Sequence, residues 1–357
     1  MRILLLGATG NVGQQVLKII KKLNYELVGI SFYTNTKLAI TIKTKYRYSP
    51  IDLQNSNVNS YDELISKSRP NLVVNAIVGL AGLIPTLSVI KQRIDIALAN
   101  KEALVVAGKF IKPLVKKNHV KIYPIDSEHA AIFKIIKEHG NNFQKIYITA
   151  SGGPFYQYNR KKIQHVTYEQ TIKHPKWNMG PKVSVDSSTL VNKCLELIEA
   201  FWYFNTNNIK ALYHPDALIH AIVQYPKNKT YAFIANPNML LPIEMALTKF
   251  KKHQQYIKEI DLTKSSYTIQ PINTKRFLPI NWAERWLKIH EWSVPIIICL
   301  ADEILFNLFK RNKIKFSQIV SLISQCIKCF RKLEIKNVND IFLLNDKCDK
   351  FINKKIS

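Results

Sequence analysis

Glycine is scarce in this chain, 11 of 357 residues, and none follows Gly180. A chain that avoids glycine should keep it where φ is positive or where the backbone must approach something closely. Gly7, Gly10, Gly13, Gly152, Gly153 and Gly180 therefore mark candidate sites. Acidic residues are also few: 25 Asp and Glu face 52 Lys and Arg, for a formal charge of +27. The lysines are scattered through Ile- and Asn-rich sequence, with no basic arm and no heptad-linked basic region. We read the balance as compositional drift that favours anionic small substrates, and expect no nucleic-acid partner. The five cysteines (Cys194, Cys299, Cys326, Cys329, Cys348) are an odd set in a large chain. That argues against a disulfide framework and for a reducing, cytoplasmic compartment. Cys326 and Cys329 form a single CxxC inside an apolar helical run, which disfavours a zinc or redox role. No signal peptide or membrane span is visible, so no membrane partner is expected.

What is present begins with RILLLGATGNVG (Arg2 to Gly13), an apolar run meeting a Gly-rich turn, followed by the amphipathic QQVLKIIKKL. Strand, turn and helix in that order are the context of a dinucleotide fingerprint, here GxTGxxG with Thr9 inside it. A second strand, ELVGISF, ends without an acid to grip a ribose 2′-OH. Asn35 and Lys37 follow it instead and suit a 2′-phosphate, which favours NADP over NAD. NLVVNAIVG, IPTLSVIKQ and DIALAN continue the alternation of a doubly wound parallel sheet. Asn100, Lys101 and Glu102 stand at the end of the last of these strands, where α/β proteins place ligands.

The strand in VKIYPIDSEHAAIF ends at Asp126, Ser127, Glu128 and His129. Asp126 and Glu128 are two apart and, in extended chain, point to one side, an oxygen set for Mg²⁺ or Mn²⁺. KIYITASGGPF runs a strand into Ser151–Gly152–Gly153, whose successive N–H groups can cradle an anion. HPKWNMG (His174 to Gly180) reads as a loop with an aromatic cover, a lid carrying Trp177 and Met179. After it, Val191, Leu195, Ile198 and Trp202 recur at helical spacing, with Asp186 and Ser187 placed to cap that helix. A helix N-terminus suits a phosphate, and Ser187, Ser188, Asn192 and Lys193 add donors there. Glu196, four residues after Asn192, is a candidate metal or hydroxyl ligand. HAIVQYPKNKTYAFI reads as a hairpin, and the pattern is helical from Asn281 onward.

Taken together, GATGNVG, AIVGLAGLIPTL, LANKEALV, PIDSEHAAIF, ASGGPF, HPKWNMG, VDSSTLVNKCLELIEAFW and HPDALIHAIVQY resemble the 1-deoxy-D-xylulose 5-phosphate reductoisomerases, motif by motif, over about residues 1 to 247. The resemblance implies NADPH-dependent rearrangement of that sugar phosphate and its reduction to 2-C-methyl-D-erythritol 4-phosphate, with Mg²⁺, Mn²⁺ or Co²⁺. It implies Asp126, Glu128 and Glu196 as metal ligands and catalytic residues, with Lys101 and Ser127 at the substrate. Ser151, Ser187, Asn192 and Lys193 would hold the phosphate under His174. Thr9, Gly10, Asn11 and Val12 would hold the cofactor, with Asn100, Glu102 and Gly180 nearer its nicotinamide. The family's Ala-Gly-Lys-Asn after the second strand is here SFYTNTK, and its Asn-Ala-Ala-Asn-Glu is here IICLADEI.

The expected fold is α/β, with a Rossmann-like doubly wound sheet (1–125), a central α+β catalytic domain (126–248, lid 174–180), a linker (249–277) and a C-terminal helical domain (278–357). A homodimer is expected. The alternative is another NADP-dependent oxidoreductase with a GxTGxxG turn, such as a semialdehyde dehydrogenase, which needs a nucleophilic cysteine. Cys194 is the only cysteine near a motif.

Overall fold

The computed structural model describes residues 1–46, 51–54, 58–173, 180–251, 260, 263 and 267–356. They form two compact units, each made of segments that are not contiguous in sequence. The first comprises Met1–Leu104, Gly108–Lys134 and Asn238–Lys258; the second comprises Val105–Ala107, Ile135–Pro237 and Glu259–Ser357. The grouping differs from the four expected segments. Residues 126–134 group with the dinucleotide-type sheet, the helix Leu240–Leu247 returns to it, and the C-terminal helices group with the central segment.

Six short parallel strands build the first unit: β1 (Arg2–Leu6), β2 (Glu26–Phe32), β3 (Ile51–Gln54), β4 (Leu72–Asn75), β5 (Ile96–Leu98) and β6 (Ile122–Pro124). Their order is β3-β2-β1-β4-β5-β6. The chain reverses direction of winding between β1 and β4, the crevice where doubly wound sheets bind dinucleotides. The central strands show no apolar–polar alternation because the sheet is covered: Ile3 to Leu6 and Leu72 to Val74 are all buried. The helix Asn11–Lys22 lays Val16, Leu17, Ile19 and Ile20 into the core, and Lys21 and Lys22 complement its C-terminal dipole.

The second unit holds a mixed sheet of β7 (Lys145–Ala150), β8 (Ile209–Tyr213), β9 (Ile219–Gln224), β10 (Thr230–Ile234) and β11 (Gln270–Pro271), in the order β10-β9-β7-β8-β11. The hairpin between β9 and β10, expected from HAIVQYPKNKTYAFI, turns through Lys227 and Asn228, both at positive φ. β11 pairs antiparallel with β8, so the stretch read as a linker contains an edge strand. The helix Val191–Phe204 packs on β8 and on the helix Leu278–Ile289. Helices Ser293–Lys310, Phe316–Phe330 and Val338–Ile356 pack together beyond it.

With glycine so rare, other residues take the left-handed positions that end helices. His119, Asn205 and His290 do so at φ 56°, 51° and 57°. A non-glycine residue there costs about 1–2 kcal/mol, partly offset by the greater unfolded-state freedom of glycine. His119→Gly, at an exposed cap, is therefore expected to stabilise the protein by about 0.5–1 kcal/mol. A thermal melt that shows no rise would contradict this reading of the caps.

Candidate functional site

In the first unit the fingerprint turn is tied to the end of β2. The Gly7 and Ala8 amides donate to the Ser31 carbonyl at 3.1 and 2.9 Å, and Gly7 N–H also reaches Ser31 Oγ. Gly13 sits where the helix crosses this turn: a Cβ there would lie 2.3 Å from the Gly7 carbonyl oxygen and 2.8 Å from that of Ala8. Only glycine allows the helix N-terminus so close. Positive φ is not the reason for glycine at Gly10 and Gly180, which have φ of −76° and −63°. A Cβ at Gly180 would meet nothing within 4 Å. Thr9, Asn11 and Val12 line the same turn and first helical residues, and no acid occupies that first turn.

The residues after β2 are not an open loop. Asn35 caps a helix, Thr36–Lys45, by accepting the Leu38 amide at 3.1 Å, and Lys37 lies exposed in its first turn. Two buried asparagines that the sequence reading passed over or placed differently hold the neighbouring loop. Asn75, at the end of β4, donates to the Gly82 carbonyl and to Thr86 Oγ1 at 2.9 and 2.8 Å. Asn100 donates to the carbonyls of Ile77 and Gly79 at 2.7 and 2.8 Å while accepting the Ala103 amide. Both amide protons of Asn100 are thus committed to the fold. Glu102 is buried in the first turn of the helix Lys101–Asn118.

Asp126 and Glu128 are not in extended chain. Asp126 accepts the Glu128 and His129 amides at 3.2 and 3.4 Å, capping a helix that begins at Ser127. An Asp with helix-compatible residues after it satisfies orphan N–H groups better as an N-cap than as a strand end, and that preference wins here. Lys101 Nζ lies 3.0 Å from Asp126 Oδ2, and His129 Nδ1 lies 2.7 Å from Oδ1. Ser127 Oγ donates to Glu128 Oε2. The group is a half-buried, hydrogen-bonded carboxylate pair beside the Lys101 ammonium.

In the second unit the helix start is also corrected. Asp186 and Ser187 lie inside a helix, Pro181–Thr189, that ends at Leu190 in the left-handed region, where the helix Val191–Phe204 begins. Pro181 pre-sets φ for the first helical position of a separate helix, and the expected apolar-faced helix follows it, beginning at Val191. Because six of its nine residues are buried, that helix shows no amphipathic stripe. The Ser151–Gly152–Gly153 turn rests on it: a Cβ at Gly153, φ 65°, would lie 2.9 Å from Ser188 Cα. The ring of Tyr156 stacks between those of Tyr213 and Phe277, at 3.7 and 4.7 Å, and backs the turn. Ser188 Oγ is spent on the Ser184 carbonyl at 2.9 Å, whereas Ser187 is half-buried and, among the described residues, its hydroxyl is not drawn into such a bond. Glu196 is 1% exposed; Asn192 Nδ2 donates to its Oε1 and the Lys193 ammonium lies against its Oε2. Glu199, one turn on and equally buried, was not singled out by sequence; two Glu residues three apart on a buried helix were the available signal. His174, Trp177 and Met179, the lid residues, lie outside the described residues.

Family models match the chain in three parts. The 1-deoxy-D-xylulose 5-phosphate reductoisomerase model matches residues 3–62 and 55–108, the C-terminal domain model of the same enzyme 122–204, and the DXP reductoisomerase C-terminal domain model 234–351. The 1-deoxy-D-xylulose 5-phosphate reductoisomerase of Malacoplasma penetrans is 38% identical, over 98% of this chain and 94% of its own length. The chain belongs to the 1-deoxy-D-xylulose 5-phosphate reductoisomerase family. A Clostridium novyi reductoisomerase is 37% identical over 99% of this chain and 98% of its own. A crystal structure of DOX-P reductoisomerase in complex with NADPH, fosmidomycin and magnesium superposes with a TM-score of 0.91 at 27% identity, covering 100% of this chain and 98% of that one. The Zymomonas mobilis reductoisomerase, in complex with NADPH, does so at 0.87 and 27%, covering 100% and 99%.

The dehydrogenase alternative fails on Cys194. It is fully buried, and burial, then the Asp302 carboxylate, push its thiol well above the ordinary range against a weaker lowering by the Ala283 backbone. Such a thiol is no nucleophile. Of the five cysteines only Cys329 is exposed. Native protein should therefore show one fast-reacting thiol in a colorimetric titration and five after denaturation; fast labelling of Cys194 would reopen the alternative.

Proposed function

We propose that this chain converts 1-deoxy-D-xylulose 5-phosphate to 2-C-methyl-D-erythritol 4-phosphate, using NADPH and a divalent ion, in isoprenoid precursor synthesis. The full-length kinship carries the reading: the Malacoplasma penetrans reductoisomerase matches 98% of this chain.

The donor chemistry fits. Three carboxylates, Asp126, Glu128 and Glu196, are oxygen donors of the kind Mg²⁺ takes, and Mn²⁺ and Co²⁺ are expected to substitute. When bound, the ion supplies Lewis acidity at the substrate's carbonyl and hydroxyl oxygens, and NADPH supplies the hydride. Lys101 neutralises Asp126 and offers N–H groups to a substrate oxygen, with Ser127 beside it. The Ser151 turn, Ser187, Asn192 and Lys193 hold the phosphate. Once Glu196 shares its charge with a cation, it no longer needs the Lys193 ammonium, and Lys193 can turn to the phosphate. His174, Trp177 and Met179 cover the substrate, and Gly180, at the start of the buried helix, lets the nicotinamide come close. Asn100 and Glu102 shape the nicotinamide end.

Gly10 to Val12 present helix N–H groups to the pyrophosphate. Asn35 and Lys37, at a second helix start without an acid, take the 2′-phosphate. Lys37→Ala should raise the KM for NADPH about tenfold and leave that for NADH nearly unchanged, since an exposed charged contact sits at the low end of its range. Equal effects on both cofactors would remove Lys37 from the 2′-phosphate.

Cysteines that form no disulfide fit a cytoplasmic enzyme, and among the described residues no helix is long and apolar enough to cross a membrane. The outer strand β10 offers one sheet edge to a second copy, in keeping with a homodimer. The testing experiment follows NADPH absorbance with 1-deoxyxylulose 5-phosphate and Mg²⁺. Oxidation that needs both supports the reading; none under any divalent ion overturns it.

A further inference from the structure

A buried ion pair in the second unit belongs to no role assigned so far. Lys182, 8% exposed, places its ammonium 2.5 Å from Asp186 Oδ2 one turn along the same helix, and it also contacts Asp302 Oδ2. Asp302 is 1% exposed and lies on the helix Ser293–Lys310, 120 residues away in sequence. Two carboxylates and one ammonium in a buried place are costly to desolvate, and a hydrophobic triplet of the same volume would often be as stable. Stability alone is therefore a weak reason for the arrangement.

Its position suggests another. The helix Pro181–Thr189 carries Ser187, and the helix Val191–Phe204 carries Asn192 and Lys193. The two meet at one residue, Leu190, held at φ 62° and ψ 13°. The angle between two helices joined by a single left-handed residue is set by that residue's dihedrals and by whatever braces both sides. Leu190 has no glycine-like ease there, so the angle is held against some strain. Asp302 grips Lys182 on the first helix. The helix that carries Asp302 also packs against the second helix.

We infer that Asp302, through Lys182, is a positioning residue that sets the angle at Leu190 and so brings Ser187 into register with Asn192 and Lys193 on a phosphate group. The inference rests on the assignment of these three residues to the substrate phosphate. It extends phosphate recognition to a helix that carries none of the phosphate donors. The small, directional phosphate site is the part of the enzyme most sensitive to such an angle, because its donors come from both helices.

The test uses the full-length enzyme in four forms: wild type, Asp302→Asn, Asp302→Ala and the triple variant Lys182→Met/Asp186→Leu/Asp302→Leu. The triple variant removes the ammonium and both carboxylates together and so keeps a packed interior. Inorganic phosphate binding is titrated calorimetrically, and KM and kcat for 1-deoxyxylulose 5-phosphate, NADPH affinity by fluorescence and the thermal midpoint are measured. Asp302→Asn keeps an oxygen for the ammonium and should stay within about threefold of wild type. Asp302→Ala and the triple variant should weaken phosphate and raise substrate KM by about tenfold or more, as sub-ångström misplacement of several donors does, with kcat and NADPH affinity within about twofold. The triple variant should do so with a wild-type thermal midpoint. A merely structural cluster would instead lower the midpoint of Asp302→Ala and leave the stable triple variant with wild-type phosphate affinity and KM; that result would overturn the inference, as would a parallel loss of NADPH affinity. The phosphate titration needs no turnover. A wild type that binds phosphate but does not consume NADPH would refute the proposed reaction, while the variants' phosphate affinities would still decide the role of Asp302.

Discussion

Glu196→Gln is expected to lower kcat by about a hundredfold to a thousandfold, the few kcal/mol that a metal's charge stabilisation contributes, with NADPH affinity within about twofold. Gln keeps the shape of the side chain and its contact with Asn192, so folding should be little disturbed. What it loses is the negative charge. That charge is buried to 1% exposure and is balanced in the structure by Lys193. Removing it should weaken a divalent ion directly. The measurement is a Mn²⁺ titration alongside steady-state kinetics: Mn²⁺ affinity and kcat should fall together. Wild-type Mn²⁺ affinity in the variant would remove Glu196 from the metal site.

Gly13→Ala should be nearly as damaging, but at the other substrate. The added methyl would sit 2.3 Å from the Gly7 carbonyl oxygen, well inside contact distance, and two further Ala8 backbone atoms lie within 2.9 Å. None of these is a flexible side-chain tip, so the helix must move off the turn. Overpacking of this kind costs about 1–3 kcal/mol, and the N–H groups that face the pyrophosphate move with the helix. NADPH affinity should fall by about tenfold to a hundredfold, with Mn²⁺ affinity unchanged. Intrinsic fluorescence quenching by NADPH checks this, and an unchanged affinity would mean that the turn does not hold the cofactor.

The two substitutions separate what was legible in the sequence from what was not. The Gly13 turn could be read because its signal is local: strand, turn and helix follow one another within thirteen residues, and close approach demands glycine. Five of the six parallel strands were legible as apolar runs for the same reason; β3, with the sequence IDLQ, is not such a run and was not read. The start of the buried helix was not legible. Pro181–Thr189 is covered nearly all round, so no periodicity marks it, and its end at Leu190 uses a residue that gives no left-handed signal. The carboxylates were singled out by residue type, but Asp126 was given strand geometry because two-residue spacing suits a strand. The capping bonds to the Glu128 and His129 amides show that the helix had already begun.

Asn100 illustrates a different limit. Its place at the end of β5 suggested a cofactor contact, and nothing in the sequence showed that its amide protons go to Ile77 and Gly79. A side chain's partners far along the chain leave no pattern around it. The Lys182–Asp302 pair was invisible for that reason as well, since it joins residues 120 apart. Long-range polar contacts depend on the packed fold and cannot be counted from spacing.

The most direct test of the function is product stoichiometry. Purified enzyme, 1-deoxyxylulose 5-phosphate, NADPH and Mg²⁺ are incubated to completion, and the phosphate esters are identified by ³¹P and ¹³C resonance. Family chemistry predicts one 2-C-methylerythritol 4-phosphate formed for each NADPH oxidised, none when the divalent ion is chelated, and recovery on adding Mg²⁺ back. NADPH oxidation that leaves the carbon skeleton unbranched, or that runs at the same rate in chelator, would contradict it.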